Sequence, residues 1–459
     1  MGIFLLCALA SCESISALVK PALEEDGEIR AYLEPFPQEG AGLVLAIDGL
    51  SAVGAAGVRY PLTVKLGSAE GGKLRRQRLL GEADLPPGSY SGLEITLREA
   101  VTRDDNGEHR LTFGGPVVIP CPFRVERKRG YVISVLLDPG SLPKTGSAFT
   151  PVFSATIPAK PLPGVTGYVS NSGSNDISVI DKEEGRVIGV IPTPGSPAGM
   201  ALDQKLLKAY VAVPSSGQIV VVDVVSSQLT NTLQMAMGDR PVELALTPDG
   251  KTILSVNSGS NSVSFIDSAS LTETSRVATG PGPSSVTIDP TARRAYVTNN
   301  YGNTLTVIDI ANRAVATTIA TDPGPVRAQF NSLGTSLFVI QDMSLYLTVI
   351  DPLSLNVKRV KASMGLESIK VDTNTSLVYM GRKGDPAVGV YEPNSFVAMD
   401  YVKTGGWVSY MTIDGETNSL VMLCPSAREL TASSLVGGRA LWTIDVGDSP
   451  YWIDVMGER

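Results

Sequence analysis

The chain has 459 residues, of which 43% are hydrophobic and 18% charged, a balance that suits a packed globular fold and makes disorder not the default. Its net charge is −8, with 17 basic and 18 acidic residues before Leu162 and 21 against 28 from there on, which argues against nucleic acid as a partner. The 46 Gly and 31 Pro, set among many Val, Ser and Thr, point to an all-β protein of short strands and tight turns.

In chain order, the first feature is the apolar run MGIFLLCALASC, ending in Leu9-Ala10-Ser11-Cys12. These four residues are similar to the lipobox of bacterial lipoproteins, small residues directly before a cysteine. The resemblance implies a signal peptide over 1–11, cleavage after Ser11, and lipid attached to Cys12. A buried strand or helix that happens to end in Cys is the competing reading. Glu13 is not the aspartate that resembles an inner-membrane retention signal, so the expected location is the outer membrane, facing the periplasm or the cell surface. No other apolar stretch approaches the ~20 residues needed to cross a bilayer, so the expected attachment is an anchor. Cys121 and Cys424 then read as small core hydrophobes.

Residues 12–157 read as a β-sandwich. Leu43 to Asp48, Leu62 to Leu66 and Tyr131 to Leu136 alternate apolar and polar residues as half-buried strands do. Leu85-Pro86-Pro87-Gly88-Ser89-Tyr90, followed by Leu93 to Leu97, resembles a turn-and-strand of immunoglobulin-like domains in bacterial lipoproteins. Two basic clusters, Lys73-Arg75-Arg76-Arg78 and Arg124-Arg127-Lys128-Arg129, read as solvated hairpin ends or as contacts to anionic lipid. Asp104-Asp105-Asn106-Gly107-Glu108 lacks the alternating spacing of a calcium loop and reads as a hairpin turn. Residues 158–166, rich in proline, read as a stiff linker.

From 167 to 459 a repeat takes over. Large apolar residues recur at Tyr168, Tyr210, Leu254, Tyr296, Phe338, Tyr379 and Val421, separated by 42, 44, 42, 42, 41 and 42 residues. An acidic residue ends an alternating strand at Asp181, Asp223, Asp267, Asp309, Asp351 and Glu392, and Ser434 holds that place in the seventh repeat. A carboxylate there can accept hydrogen bonds from the turn it begins. Each unit divides into four strands, for example Arg294 to Asn300, Thr304 to Asp309, Ala314 to Thr321 and Val326 to Asn331. Such units have two apolar faces that only neighbours can cover, so the repeats predict a closed seven-bladed β-propeller. The first repeat opens on its second strand and the chain closes on a spare one, Tyr451 to Met456, which predicts that the last strand completes the first blade. Tyr296-Val297-Thr298-Asn299 and Tyr168-Val169-Ser170-Asn171, with the Val-Ile-Asp endings at Val179, Val307 and Val349, resemble the YVTN family of propeller repeats. That family implies an envelope or surface-layer setting, and related propellers form scaffolds of periplasmic redox enzymes.

The single histidine, His109, precedes the repeats, so a Ser-His-Asp triad, a His-rich metal cluster and bis-His haem ligation inside the ring are excluded on residue count. No Cys-x-x-Cys-His, phosphate-binding loop or Gly-x-Ser-x-Gly occurs. No catalytic residue, metal or cofactor is assigned. Loops leading into the inner strands carry Arg240, Glu243, Arg327, Glu367, Trp407, Tyr451 and Trp452, which could grip a sugar or peptide, or else fill space between blades and pair at the rim. The expected function is a non-enzymatic envelope lipoprotein whose propeller is a rigid platform for a protein or glycan. The alternatives are a metal- or carboxylate-dependent hydrolase or lyase, and a periplasmic redox-cofactor binder.

Overall fold

The structure is a computed structural model that describes residues 20–105, 107–143, 147–160 and 162–458. Cys12 and the signal-like segment lie outside the described residues. Among the described residues, helical structure is confined to three short 3-10 turns, and no helix is long and apolar enough to cross a membrane.

Seven four-stranded sheets follow one another from Thr166 to Val455. Blades 2 to 7 begin with inner strands Met200–Asp203, Pro241–Leu246, Pro283–Ile288, Pro325–Phe330, Leu366–Val371 and Tyr410–Asp414. Blade 1 takes its inner strand from the far end of the chain, because Pro450–Val455 pairs antiparallel with Thr166–Asn171. The seven-bladed ring and its closure are therefore as the repeat predicted. Apolar clusters fill the spaces between blades: Tyr168 packs with Val211 and Val220 of the next blade, and Tyr296 with Ala328 and Leu337. Lys182 of blade 1, with only 1% of its side chain exposed, reaches Asp414 (2.9 Å) and Glu416 (2.7 Å) of blade 7 and bonds the Met456 carbonyl.

The acidic column works as turn chemistry. Asp223 accepts from the amide of Ser226, Asp267 from Ala269 and Ser270, Asp351 from Leu353 and Ser354, and Glu392 from Asn394 and Ser395. Bonds from the Ser395 hydroxyl and amide pull the Glu392 carboxyl down to about 2. Where the seventh repeat has Ser434, its hydroxyl still accepts from the Val436 amide at 3.2 Å.

The N-terminal strands depart from the expected sandwich. They form one ten-stranded sheet, because Arg59–Val64 pairs on one side with Leu43–Gly54 and on the other with Arg78–Leu85. Both halves face a single core that includes Ile29, Leu45, Leu80, Ile119 and Ile133. Alternation marks which face of a strand is buried but is silent about which edges join. The Tyr90 hydroxyl donates to the Pro86 carbonyl at 2.8 Å, tying down the Leu85-Pro86-Pro87-Gly88 turn. Cys121 sits in this core and Cys424 between blades, both buried free thiols.

This sheet docks on blades 1 and 7, across the place where the ring closes. Tyr32, Leu79 and Val132 pack with Val187, Val190 and Leu430. The Gln77 side chain accepts from the Val187 amide at 2.9 Å and donates to its carbonyl at 3.3 Å, imitating a strand partner on the outer edge of blade 1. At Gly130 a side chain would run into the Val190 carbonyl, so the approach requires glycine. Arg76 and Arg78 are not solvated hairpin ends: they pair with Glu429 and Asp445 of blade 7. Arg30, fully buried, bridges Glu28 and Asp176 of blade 1. Removing either side of a buried pair of this kind costs about 3–5 kcal/mol.

Burial, opposed by Arg30 but aided by Asp176, pushes the Glu28 carboxyl from its ordinary 4.5 up to about 7. A folded value above the unfolded one means a contribution to stability that is full below about 4.5 and lost as pH rises through about 7. Urea unfolding between these pH values should therefore show stability falling with pH, and Glu28→Gln should flatten that slope; an unchanged slope in the variant would refute the assignment.

Candidate functional site

Inner strands of blades 1, 3, 4 and 5 start with proline, which is tolerated at a strand's first residue because its missing amide is not needed there. In blades 3 to 6 the ladder shifts register just after this first residue, at Pro241/Glu243, Pro283/Ser285, Pro325/Arg327 and Leu366/Ser368. Such bulges re-aim the side chain that follows. Gly199, Tyr410 and Trp452 stand in the same register in blades 2, 7 and 1, so Gly199, Glu243, Ser285, Arg327, Ser368, Tyr410 and Trp452 form one structural column.

Members of this column from five blades meet near the ring axis. Glu243 of blade 3, 2% exposed, accepts at Oε1 from the Ser285 hydroxyl (2.7 Å) and the Val286 amide (3.0 Å). Its Oε2 accepts from Arg327 Nη1 of blade 5 at 2.9 Å. The Arg327 guanidinium carbon lies 4.8 Å from the Tyr410 ring centre of blade 7 and 4.9 Å from that of Trp452 in blade 1. These two rings stack on each other at 3.9 Å and 23°. A guanidinium shared between a carboxylate and two aromatic faces keeps its charge although it leaves bulk water. Burial and the nearby Glu458 and Asp454 carboxyls raise the Tyr410 phenol well above its ordinary range.

One layer further along the axis, Trp452 Nε1 donates to Asp454 Oδ1 at 2.9 Å. Burial and Glu458 hold the Asp454 carboxyl well above the usual carboxylate range. Glu458 accepts from Lys370 Nζ (2.7 Å) and the Thr412 hydroxyl (2.6 Å), so the chain's last turn lies against this end of the ring. On the opposite side Tyr451 leaves 40% of its surface accessible. Glu367 is half-buried there; burial raises its carboxyl, with Lys383 and Arg327 opposing and Asp342 adding to the rise.

Of the seven residues singled out in the sequence, the structure thus brings Glu243, Arg327 and Trp452 into one assembly, with Tyr451 and Glu367 beside it. Arg240 does not join them; it borders a groove of about 480 Å³ between blades 2 and 3 with Gln234 and Met237. Trp407 is half-buried on the segment entering blade 7, and the aromatic ring that reaches the axis from that blade is Tyr410. Tyr410 lies 42 residues before Trp452, one repeat away, and that spacing could have found it. His109 is exposed on the strand Gly107–Arg110, its Nε2 3.3 Å from Asp104. Among the described residues no group of three His, Cys, Asp or Glu side chains is placed to hold a metal ion.

The fold and its axis define a seven-bladed β-propeller. No protein-family model matches the chain, and no curated protein does. Solved structures with a similar fold include hydrazine synthase of Kuenenia stuttgartiensis, at 17% identity and a TM-score of 0.54, covering 60% of this chain and 94% of that one. A functionally unknown protein from Desulfotomaculum acetoxidans is similar over 63% of this chain and 98% of its own, at 13% identity and a TM-score of 0.56. The dihydro-heme d1 dehydrogenase NirN follows at 12% identity and a TM-score of 0.51, over 66% and 78%. At these identities the likeness is one of fold alone.

Arg327→Ala leaves Glu243 buried without its cation and should cost about 3–5 kcal/mol of stability, whereas Glu243→Gln with Arg327→Met should recover most of it. Chemical denaturation of these two variants beside the unsubstituted protein checks this. A double variant no better than the single one would refute the pairing as the dominant interaction at the axis.

Proposed function

We propose that this chain is a non-enzymatic envelope lipoprotein whose propeller docks a protein partner on the loop face around Tyr451. The observation that carries the reading is an apolar patch on blade 5. Loops 342–345 and 362–365 are joined by backbone bonds from Gly365 to Asp342 and from Ala362 to Leu345. Together with the strand that follows the first loop they expose Met343 (63%), Leu345 (50%), Tyr346 (38%) and Met364 (55%). Grouped methionines with an aromatic neighbour are adaptable contact surface, and such a cluster is unusual for a face turned only to water. At the mouth beside it Arg327 Nε, Asp342 Oδ1 and Ser409 Oγ are buried and have no hydrogen-bond partner among the described residues. Deeper charges, such as Glu243, are already taken up by their neighbours, which favours recognition over acid–base chemistry. A surface glycan at the mouth, through Tyr451 and Glu367, is the companion reading.

A photo-reactive residue at Met343 or Met364, used in living cells, should capture one and the same envelope protein, and a probe at Val315 on an outer strand should not. Met343→Lys with Met364→Lys should abolish co-purification of that protein while leaving melting unchanged. Capture at all three positions alike, or turnover of a metabolite lost on substitution of Glu367 or Tyr451, would overturn the docking reading.

The anchor is proposed at Cys12, on the support of the Leu9-Ala10-Ser11-Cys12 sequence. Two acyl-chain signals give stable anchoring, each buried methylene adding about 0.8 kcal/mol. Cys12→Ser should move the protein from the outer-membrane fraction to the soluble one and stop palmitate labelling; labelling that persists would remove the lipoprotein assignment.

A further inference from the structure

We infer that the cleft between the N-terminal sheet and the flanks of blades 1 and 2 is a binding site for an anionic amphiphile, a single molecule with an apolar body and a carboxylate, sulfonate or phosphate head. The cleft encloses about 990 Å³, at the upper end of small-molecule sites. It opens beside the close approach of Gly130 to Val190, where the sheet leaves the flank of blade 1. Its walls include Tyr131, Ile157, Ile188, Val190 and Leu229, and Ile157 keeps 48% of its surface accessible. Apolar walls hold a ligand in proportion to the apolar area it removes from water.

The rim has a different character. Arg124, Arg127, Lys128, Arg129 and Lys160 line the cleft, and Glu126 is the one acid that lines it with them. A local excess of four positive charges stands in a chain whose net charge is −8. Lys160 is fixed to the Ser226 carbonyl at 2.5 Å, which ties this rim to blade 2. Arg127 pairs with Glu25 at 2.8 Å, but both side chains are more than 65% exposed, and so screened a pair exchanges readily for a ligand anion. Five cations over an apolar floor select against neutral apolar molecules and against hydrophilic anions alike. The concave shape selects a single molecule over a bilayer surface.

The test titrates the full chain, tagged at its C-terminal end, with the fluorescent anion 1-anilinonaphthalene-8-sulfonate, then displaces it with dodecanoate below its micelle concentration. Saturable one-to-one binding is expected, with dodecanol at least tenfold weaker than dodecanoate. Arg124→Glu with Lys128→Glu, both exposed side chains, should weaken dodecanoate at least tenfold and leave dodecanol unchanged. Ile157→Asp should weaken both. Absence of saturable binding, undiminished affinity in the charge-reversed protein, equal affinity for dodecanol, or binding to anionic vesicles without binding to the monomer would each overturn the inference.

Discussion

One strand pairing decides whether this molecule exists as a ring: Pro450–Val455 against Thr166–Asn171. A four-stranded blade has two apolar faces, and in an open array two of them would stay exposed at the ends. Closure covers both, and this chain achieves it by lending blade 1 a strand from nearly 280 residues downstream. Lys182, Asp414 and Glu416 reinforce the same seam with charge. The N-terminal sheet lies over that seam, with Arg30, Arg76 and Arg78 paired to blades 1 and 7, so three kinds of interaction are spent at one place on the circumference.

Closure also creates the axis, where side chains from distant blades become neighbours. Glu243, Arg327, Tyr410 and Trp452 have no proximity in sequence, yet the bulges after the first inner-strand residue turn Glu243, Arg327 and Trp452 toward a common point, which Tyr410 reaches from the start of its own inner strand. A buried Arg–Glu pair gains little over apolar packing of equal volume, but it penalises any arrangement that leaves either charge alone. Here it locks blades 1, 3, 5 and 7 in phase. That locking is what the docking face proposed for the loops above it would require.

The blades were legible in the sequence because each repeat encodes its own local structure. The period from Tyr168 to Val421 counts them, the acidic column from Asp181 to Glu392 marks their turns, and the missing first strand foretells the closure. What was not legible depends on contacts between units. Glu243 and Arg327 stand 84 residues apart, and nothing local announces their bond. Tyr410 shares a column with Trp452 but stands three residues after Trp407, and only the register of the inner strand tells which of the two aromatic rings reaches the axis. Arg76 and Arg78 look like solvated charges until blade 7 is placed beside them. The N-terminal strands alternate as a sandwich would, and only the two-sided pairing of Arg59–Val64 turns them into one sheet.

The shared first blade has a consequence in time. A ribosome adding about 5–20 residues per second needs roughly 14–56 s to travel from Asn171 to Pro450. Through that interval Thr166–Asn171 presents a bare edge, the kind of surface on which nascent chains associate. The other flank of the blade is already shielded, because the sheet that supplies Gln77 and Gly130 is translated first. With that unit ahead of the propeller, blade 1 waits with its inner edge open and its outer edge already in contact with the sheet.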